Sequence, residues 1–121
     1  FATDGNATDV GDLTLGRYGN DNGQSSAVSG YTSGGSPWPA PSITIEKFSF
    51  AADANATDVG DLTNGRYKTT GQNSLESGYA SGGGQSSNLN VIDKFPFASD
   101  ADATDVGDLT QIVADTAGQQ V

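Results

Sequence analysis

FAADANATDVGDLT, residues 50–63, is one of three near-copies: FATDGNATDVGDLT occupies 1–14 and FASDADATDVGDLT occupies 97–110. Eleven of the fourteen positions are identical in all three, and the starts lie 49 and 47 residues apart. The likeness continues outward. GRYGNDNGQSS from Gly16 pairs with GRYKTTGQNS from Gly65, GYTSGG from Gly30 with GYASGG from Gly78, and ITIEKFSF from Ile43 with NVIDKFPF from Asn90. Length differences fall in the polar stretches after Tyr67 and Gly83, where loops tolerate them. The chain therefore divides into a first repeat (1–49), a second (50–96) and a partial third with a terminal cap (97–121). A period near 48 marks modules that bury their faces against one another.

Helical periodicity is missing, and Gly recurs too often for helix interiors. Thr, Val, Tyr and Phe fill the regular stretches, as strands require. Strands are expected over 27–33, 42–50 and 57–63, with Gly60 marking a bulge or a close backbone approach. SPWPAP (36–41) is a loop, because proline cannot join a ladder. Residues 65–72 are polar and loop-like, with a short strand around Arg66-Tyr67. Three or four short strands per repeat predict an antiparallel all-β fold. Phe48, Phe50, Phe95 and Phe97, with Ile45 and Ile92, are the expected core. Phe50 and Phe97 follow strand-like runs and Phe1 does not, so a strand before Phe1 is expected from another repeat or another chain. The chain starts with Phe and lacks Met, as a processed product, a fragment or part of a longer protein would.

The chain has 121 residues, 17 of them Gly and none Cys, Met or His, and a formal net charge of −10. Leu, Ile, Val and Phe number 22, a proportion that with this charge borders on disorder. The in-register repetition of the few aromatics argues for folding. Thiol chemistry, Cys/His zinc sites and His-dependent triads are excluded. Arg17, Lys47, Arg66, Lys68 and Lys94 are too few and dispersed to bind nucleic acid against this acidity. No apolar run approaches the ~20 residues of a membrane-spanning helix, and no signal peptide is visible.

The order Arg17, Ser25-Ser26, Gly30-Tyr31, Gly34-Gly35, Ile45-Glu46-Lys47-Phe48 resembles the kelch repeat of β-propellers. Arg66, Ser74, Gly78-Tyr79, Gly82-Gly83 and Ile92-Asp93-Lys94-Phe95 repeat it. The chain also resembles degenerate kelch-like arrays in proteins of aquatic microbes and their phages. The family's Trp is replaced by Thr57 or Val59. The resemblance implies antiparallel blades, of which a ring needs four to eight. The expected partners are identical chains in a homo-oligomer or upstream repeats of a longer chain.

Ten of the fifteen carboxylates lie in the three motif copies. Oxygen-bearing side chains at positions 1, 3, 5 and 9 resemble the calcium loops of integrin-type propellers and dockerins. The ligand sets so implied for Ca2+ are Asp4, Asn6, Thr8 and Asp12; Asp53, Asn55, Thr57 and Asp61; and Asp100, Asp102, Thr104 and Asp108. The turn Gly of those loops is replaced by Asp, and β-turn chemistry explains the same residues without a metal. Asn6-Ala7-Thr8 and Asn55-Ala56-Thr57 are N-glycosylation sequons. A glycan on Asn55 would exclude it as a ligand. Trp38 is a stacking platform for sugar or a loop anchor. Arg17 and Arg66 are expected to pair with motif carboxylates. The diglycines are backbone devices, since no Lys-Ser/Thr and no helix follow.

These readings converge on a non-enzymatic structural or adhesive protein of a cell exterior, filament or virion, acting by assembly and surface display, with loops suited to surface glycans. A calcium-dependent binding module is the alternative. A carboxylate-pair glycosidase is disfavoured because the acidic set occurs three times and an active site is normally singular.

Overall fold

The computed structural model describes residues 5–19, 22–37 and 39–118. It is all-β: β1 (Gln24–Ser25), β2 (Ser29–Ser33), β3 (Thr44–Ser49) and β4 (Thr57–Asp61) form one antiparallel sheet in chain order. A second sheet of the same order contains β5 (Thr70–Asn73), β6 (Ser77–Ser81), β7 (Leu89–Pro96) and β8 (Thr104–Val113). Registers agree between the sheets. Gly30 faces Phe48 as Gly78 faces Phe95, and Ser33 faces Ile45 as Ser81 faces Ile92. The repeated sequence thus folds into repeated structure.

The Gly of each Gly-Tyr pair is needed for space. A Cβ on Gly30 would lie 2.3 Å from the Phe48 ring, and one on Gly78 would lie 2.3 Å from the Phe95 ring. The cross-strand ring covers the bare backbone, which compensates a glycine in a strand. The expected irregularity at Gly60 is present. The β3–β4 register shifts between Ile45 and Glu46, and the β7–β8 register between Ile92 and Asp93. The extra residue on the opposing strand, Val59 or Val106, bends it beside a buried acid.

Two expectations need correction. The polar stretch read as a loop contains the strand β5, and β1 precedes the first expected strand. Both are edge strands that meet at the seam, where Gln24 and Thr70 are buried and Ser25, Gln72 and Asn73 half-buried. Asn22 Nδ2 donates to Ser33 Oγ at 3.2 Å and also to Thr69 Oγ1, while Gln24 Nε2 donates to the Tyr79 carbonyl at 2.9 Å. The second correction concerns the core. Tyr31, Ile45, Leu62, Ala80, Phe95 and Ala103 form it, with Val59 and Phe97 packed alongside. Phe48 and Phe50, expected inside, are 38 % and 56 % exposed, and Ile92 is half-buried. Tyr31 explains the asymmetry. It packs 5.6 Å from Phe95 and stacks 4.8 Å from Phe97, whereas Phe48 and Phe50 have each other at 6.0 Å.

The tail beyond β8 follows the path of the preceding repeat. Asp115 has φ 57°, as Lys68 has 59° and Gly19 has 61°. The Asp115 amide donates to the Lys68 carbonyl at 3.3 Å, as the Lys68 amide donates to Gly19 at 2.8 Å.

Candidate functional site: the seam between repeats

The motif copies build the contact between one repeat and the next. Thr63 and Arg66 follow β4, three positions apart in sequence. Their side chains leave the first sheet and meet Asp93 on β7 of the second. The Thr63 amide donates to Asp93 Oδ2 at 3.0 Å and its hydroxyl to Oδ1 at 2.7 Å. Arg66 Nη2 donates to Asp93 Oδ2 at 2.8 Å and to the Ala80 carbonyl at 3.1 Å. Both charged side chains are wholly buried. Meanwhile the Arg66 carbonyl accepts from the Gly35 amide of the first sheet at 2.9 Å. One residue therefore ties two sheets, by main chain to one and by side chain to the other.

The same lock occurs one repeat earlier. The Thr14 amide donates to Glu46 Oε1 at 2.8 Å, and the Thr14 hydroxyl donates to the same oxygen. Arg17 Nη2 lies 3.0 Å from Glu46 Oε1, and Nη1 donates to the Gly34 carbonyl at 2.6 Å. Glu46 Oε2 and Arg17 Nη2 are buried without a hydrogen-bond partner, so here charge attraction and the Thr14 hydrogen bonds hold the carboxylate. Burial lowers the Arg66 guanidinium from its ordinary value, opposed by the nearby charges of Asp93 and Asp105. Two charges without water are held by attraction and by shared hydrogen bonds, so removal of either strands the other.

The sequence predicts that Arg17 and Arg66 pair with motif carboxylates. Their partners are instead Glu46 and Asp93, on the Ile-Glu-Lys-Phe and Ile-Asp-Lys-Phe strands. A signal for them existed: a carboxylate at the same place in each repeat, beside an Ile and two residues before a Phe. Alternation alone did not decide which strand face that acid occupies, because the bulge shifts the opposing register.

The motif carboxylates act elsewhere along the seam. Asn55 Oδ1 accepts from the Asp12 amide at 3.0 Å, and the Ala56 amide donates to the Asp12 carbonyl at 2.9 Å. One repeat on, Asp102 Oδ1 accepts from the Asp61 amide at 3.1 Å, and the Ala103 amide donates to the Asp61 carbonyl at 2.8 Å. Asn and Asp interchange here because the contact uses only the shared Oδ1. Asp100 receives Lys47 Nζ at 3.0 Å in an exposed ion pair between repeats; its hydrogen bond holds the Lys47 ammonium above its ordinary value.

Of the candidate calcium ligands, Asn6, Thr8, Asp12, Asp53, Asn55, Thr57, Asp100, Asp102, Thr104 and Asp108 are exposed, and Asp61 is half-buried. Among the described residues no three His, Cys, Asp or Glu side chains stand together as a metal-holding group. Asp4 and Trp38 lie outside the described residues. The two sequon asparagines are both exposed. Burial pushes the Asp61 carboxyl up, and the charges of Asp58 and Asp102 push the same way. A carboxyl raised in the fold is stabilising when protonated, and that advantage fades as pH rises through its folded pKa. Asp61→Asn is therefore expected to raise neutral-pH stability by less than about 1 kcal/mol. The gain should vanish below about pH 4, where an ordinary carboxylate protonates. Thermal melts across this range check it.

Gly60 and Gly107 give an internal comparison of seam contact. Their φ values are +154° and +150°, but a Cβ on Gly60 would lie 2.4 Å from the Ala101 carbonyl oxygen, while one on Gly107 would meet nothing within 4 Å. Backbone strain of about 1–3 kcal/mol applies to alanine at either site. Gly60→Ala is expected to lose about 1–3 kcal/mol more, the range for overpacking against a rigid neighbour. Equal losses in urea titrations would mean that the 57–63 and 97–103 segments do not press together.

Compared with known proteins, the chain matches no family model, and no curated protein matches it.

Proposed function

We propose that this chain is a non-enzymatic structural repeat module, built of kelch-like β-propeller blades, that works by assembly and display at a cell exterior, filament or virion. The observation that carries this reading is the duplicated buried lock. Thr63-Arg66 on Asp93 joins the first sheet to the second, and Thr14-Arg17 on Glu46 holds the preceding motif copy on the first sheet with the same residue types. A catalytic carboxylate would instead need access to substrate. The kelch-like reading is supported by the four-stranded antiparallel sheets, by the diglycine directly after β2 and β6, and by the aromatic near the end of β3 and β7. Display is supported by the turns after β1 and β5, which hold Val28 67 % and Leu75 97 % exposed. Exposed apolar side chains at loop tips suit contact with a partner surface. Glycans on such a surface are the class of ligand proposed.

Antibodies raised against this chain should label intact cells or particles of its source from outside, as seen by immunogold microscopy. Label confined to the interior would overturn the reading. The calcium alternative predicts a clear rise in melting temperature with millimolar calcium and its loss with chelator. We expect neither, because Asn55 and Asp102 already turn Oδ1 to main-chain amides.

A further inference from the structure

The chain carries the same structural element at two ends of its described fold. TDVGDLT occurs at 8–14, 57–63 and 104–110. The middle copy begins with β4, paired on β3, and the last begins β8, paired on β7. Residues 8–14 belong to no strand among the described residues, although Thr14, Asp12 and Arg17 hold them on the first sheet. Val10 and Leu13 of this copy are 53 % and 39 % exposed, whereas Leu62 is 3 % exposed. An unpaired strand edge recruits another strand.

The two outer faces are complementary by the molecule's own precedent. At the internal seam Tyr31 packs on Phe95 and Phe97. The equivalent Phe48 and Phe50 are exposed, and the equivalent Tyr79 is half-buried. One face thus offers the Phe pair and the other the Tyr. They lie on different sheets, so the match is between molecules placed head to tail.

The positions equivalent to Arg66 decide how such copies join. They are Arg17 and Val113. If β8 of one copy docked as it stands and displaced residues 8–17 of the next, Val113 would replace Arg17 and leave the buried Glu46 without its guanidinium. If residues 8–17 stay on Glu46 and take the place of β8, the lock survives and the Tyr-on-Phe-pair contact of the internal seam gains a counterpart. We propose that a second copy of this chain binds by strand exchange: its residues 8–19 replace residues 104–118 on β7, and Tyr79 packs on its Phe48 and Phe50. The incoming segment shares TDVGDLT with the segment it displaces, so it offers β7 the same side chains in the same register. The contact is heterologous, so repetition gives a ring or a filament. A ring of four to eight blades needs roughly two to four copies of two sheets each.

This inference rests on the assembly reading above, and it fails separately, since external labelling does not depend on how copies join. The test uses the full chain, whose lack of cysteine leaves introduced pairs unambiguous. Lys94 pairs with Thr104 in the observed register, so exchange pairs Lys94 of one copy with Thr8 of the next. Facing residues of antiparallel strands lie within disulfide reach. Refolded at high concentration and oxidised, the Thr8→Cys/Lys94→Cys chain should give a ladder of cross-linked dimers and larger species. The Lys94→Cys/Thr104→Cys chain should cross-link within itself, sediment as a monomer, and regain assembly on reduction. A Thr8→Cys/Lys94→Cys chain without intermolecular cross-links, or a locked chain that assembles as the unmodified protein does, would overturn the proposal. So would an unmodified chain that stays monomeric at every concentration.

Discussion

Replacing Arg66 by alanine should destabilise the protein by about 3–5 kcal/mol, the range for breaking a buried ion pair on one side only. The loss should appear as a lower urea midpoint with little change in slope, since the surface exposed on unfolding hardly changes. The reason is the company Arg66 keeps. Its guanidinium and the Asp93 carboxylate are both wholly buried 2.8 Å apart, and the same guanidinium serves the Ala80 carbonyl. Without it Asp93 retains only the amide and hydroxyl of Thr63, too little for a dry charge. Arg66→Met combined with Asp93→Leu should recover much of the loss, because buried pairs exchange for apolar residues at small cost. A single-variant loss below about 1 kcal/mol would put the pair in water, where ion pairs contribute that little.

Phe95→Ala and Phe48→Ala should differ severalfold, although both remove a Phe that faces the glycine of a Gly-Tyr pair. Phe95 is 2 % exposed and touches Tyr31 of the neighbouring sheet. Its truncation should cost about 3–5 kcal/mol, as for buried aromatics generally. Phe48 is 38 % exposed and lacks the Tyr, so its loss should stay near 1 kcal/mol, the centre of ordinary substitutions. Equal losses would mean that Phe48 is covered in solution. The comparison is best made at low protein concentration and repeated at high, where a second copy seated on Phe48 would raise its cost.

The all-β architecture was legible in the sequence. The two sheets share a register because Ile, charge and Phe recur with fixed spacing in Thr44–Ser49 and Leu89–Pro96. β1 and β5 were not legible. QS and TGQN are polar, and contacts across the seam place them: Gln24 Nε2 donates to the Tyr79 carbonyl and the Ser25 amide to Asn73 Oδ1. Such pairing depends on residues about 50 apart in the chain, which no local pattern records.

Repetition in the sequence alone determined that equivalent all-β units recur and that the acidic motif recurs once per repeat, and composition excluded thiol and histidine chemistry. Equivalence in sequence did not extend to burial. Phe48 and Phe95, or Leu13 and Leu62, are the same residue in the same motif, yet one of each pair is exposed and the other is core. The tertiary structure decided this, because burial depends on which neighbouring sheet is in contact. It also decided the partner of each arginine. The crossing from β4 of one sheet to β5 of the next carries Arg66 to Asp93 on β7, and only folding in three dimensions brings those groups together.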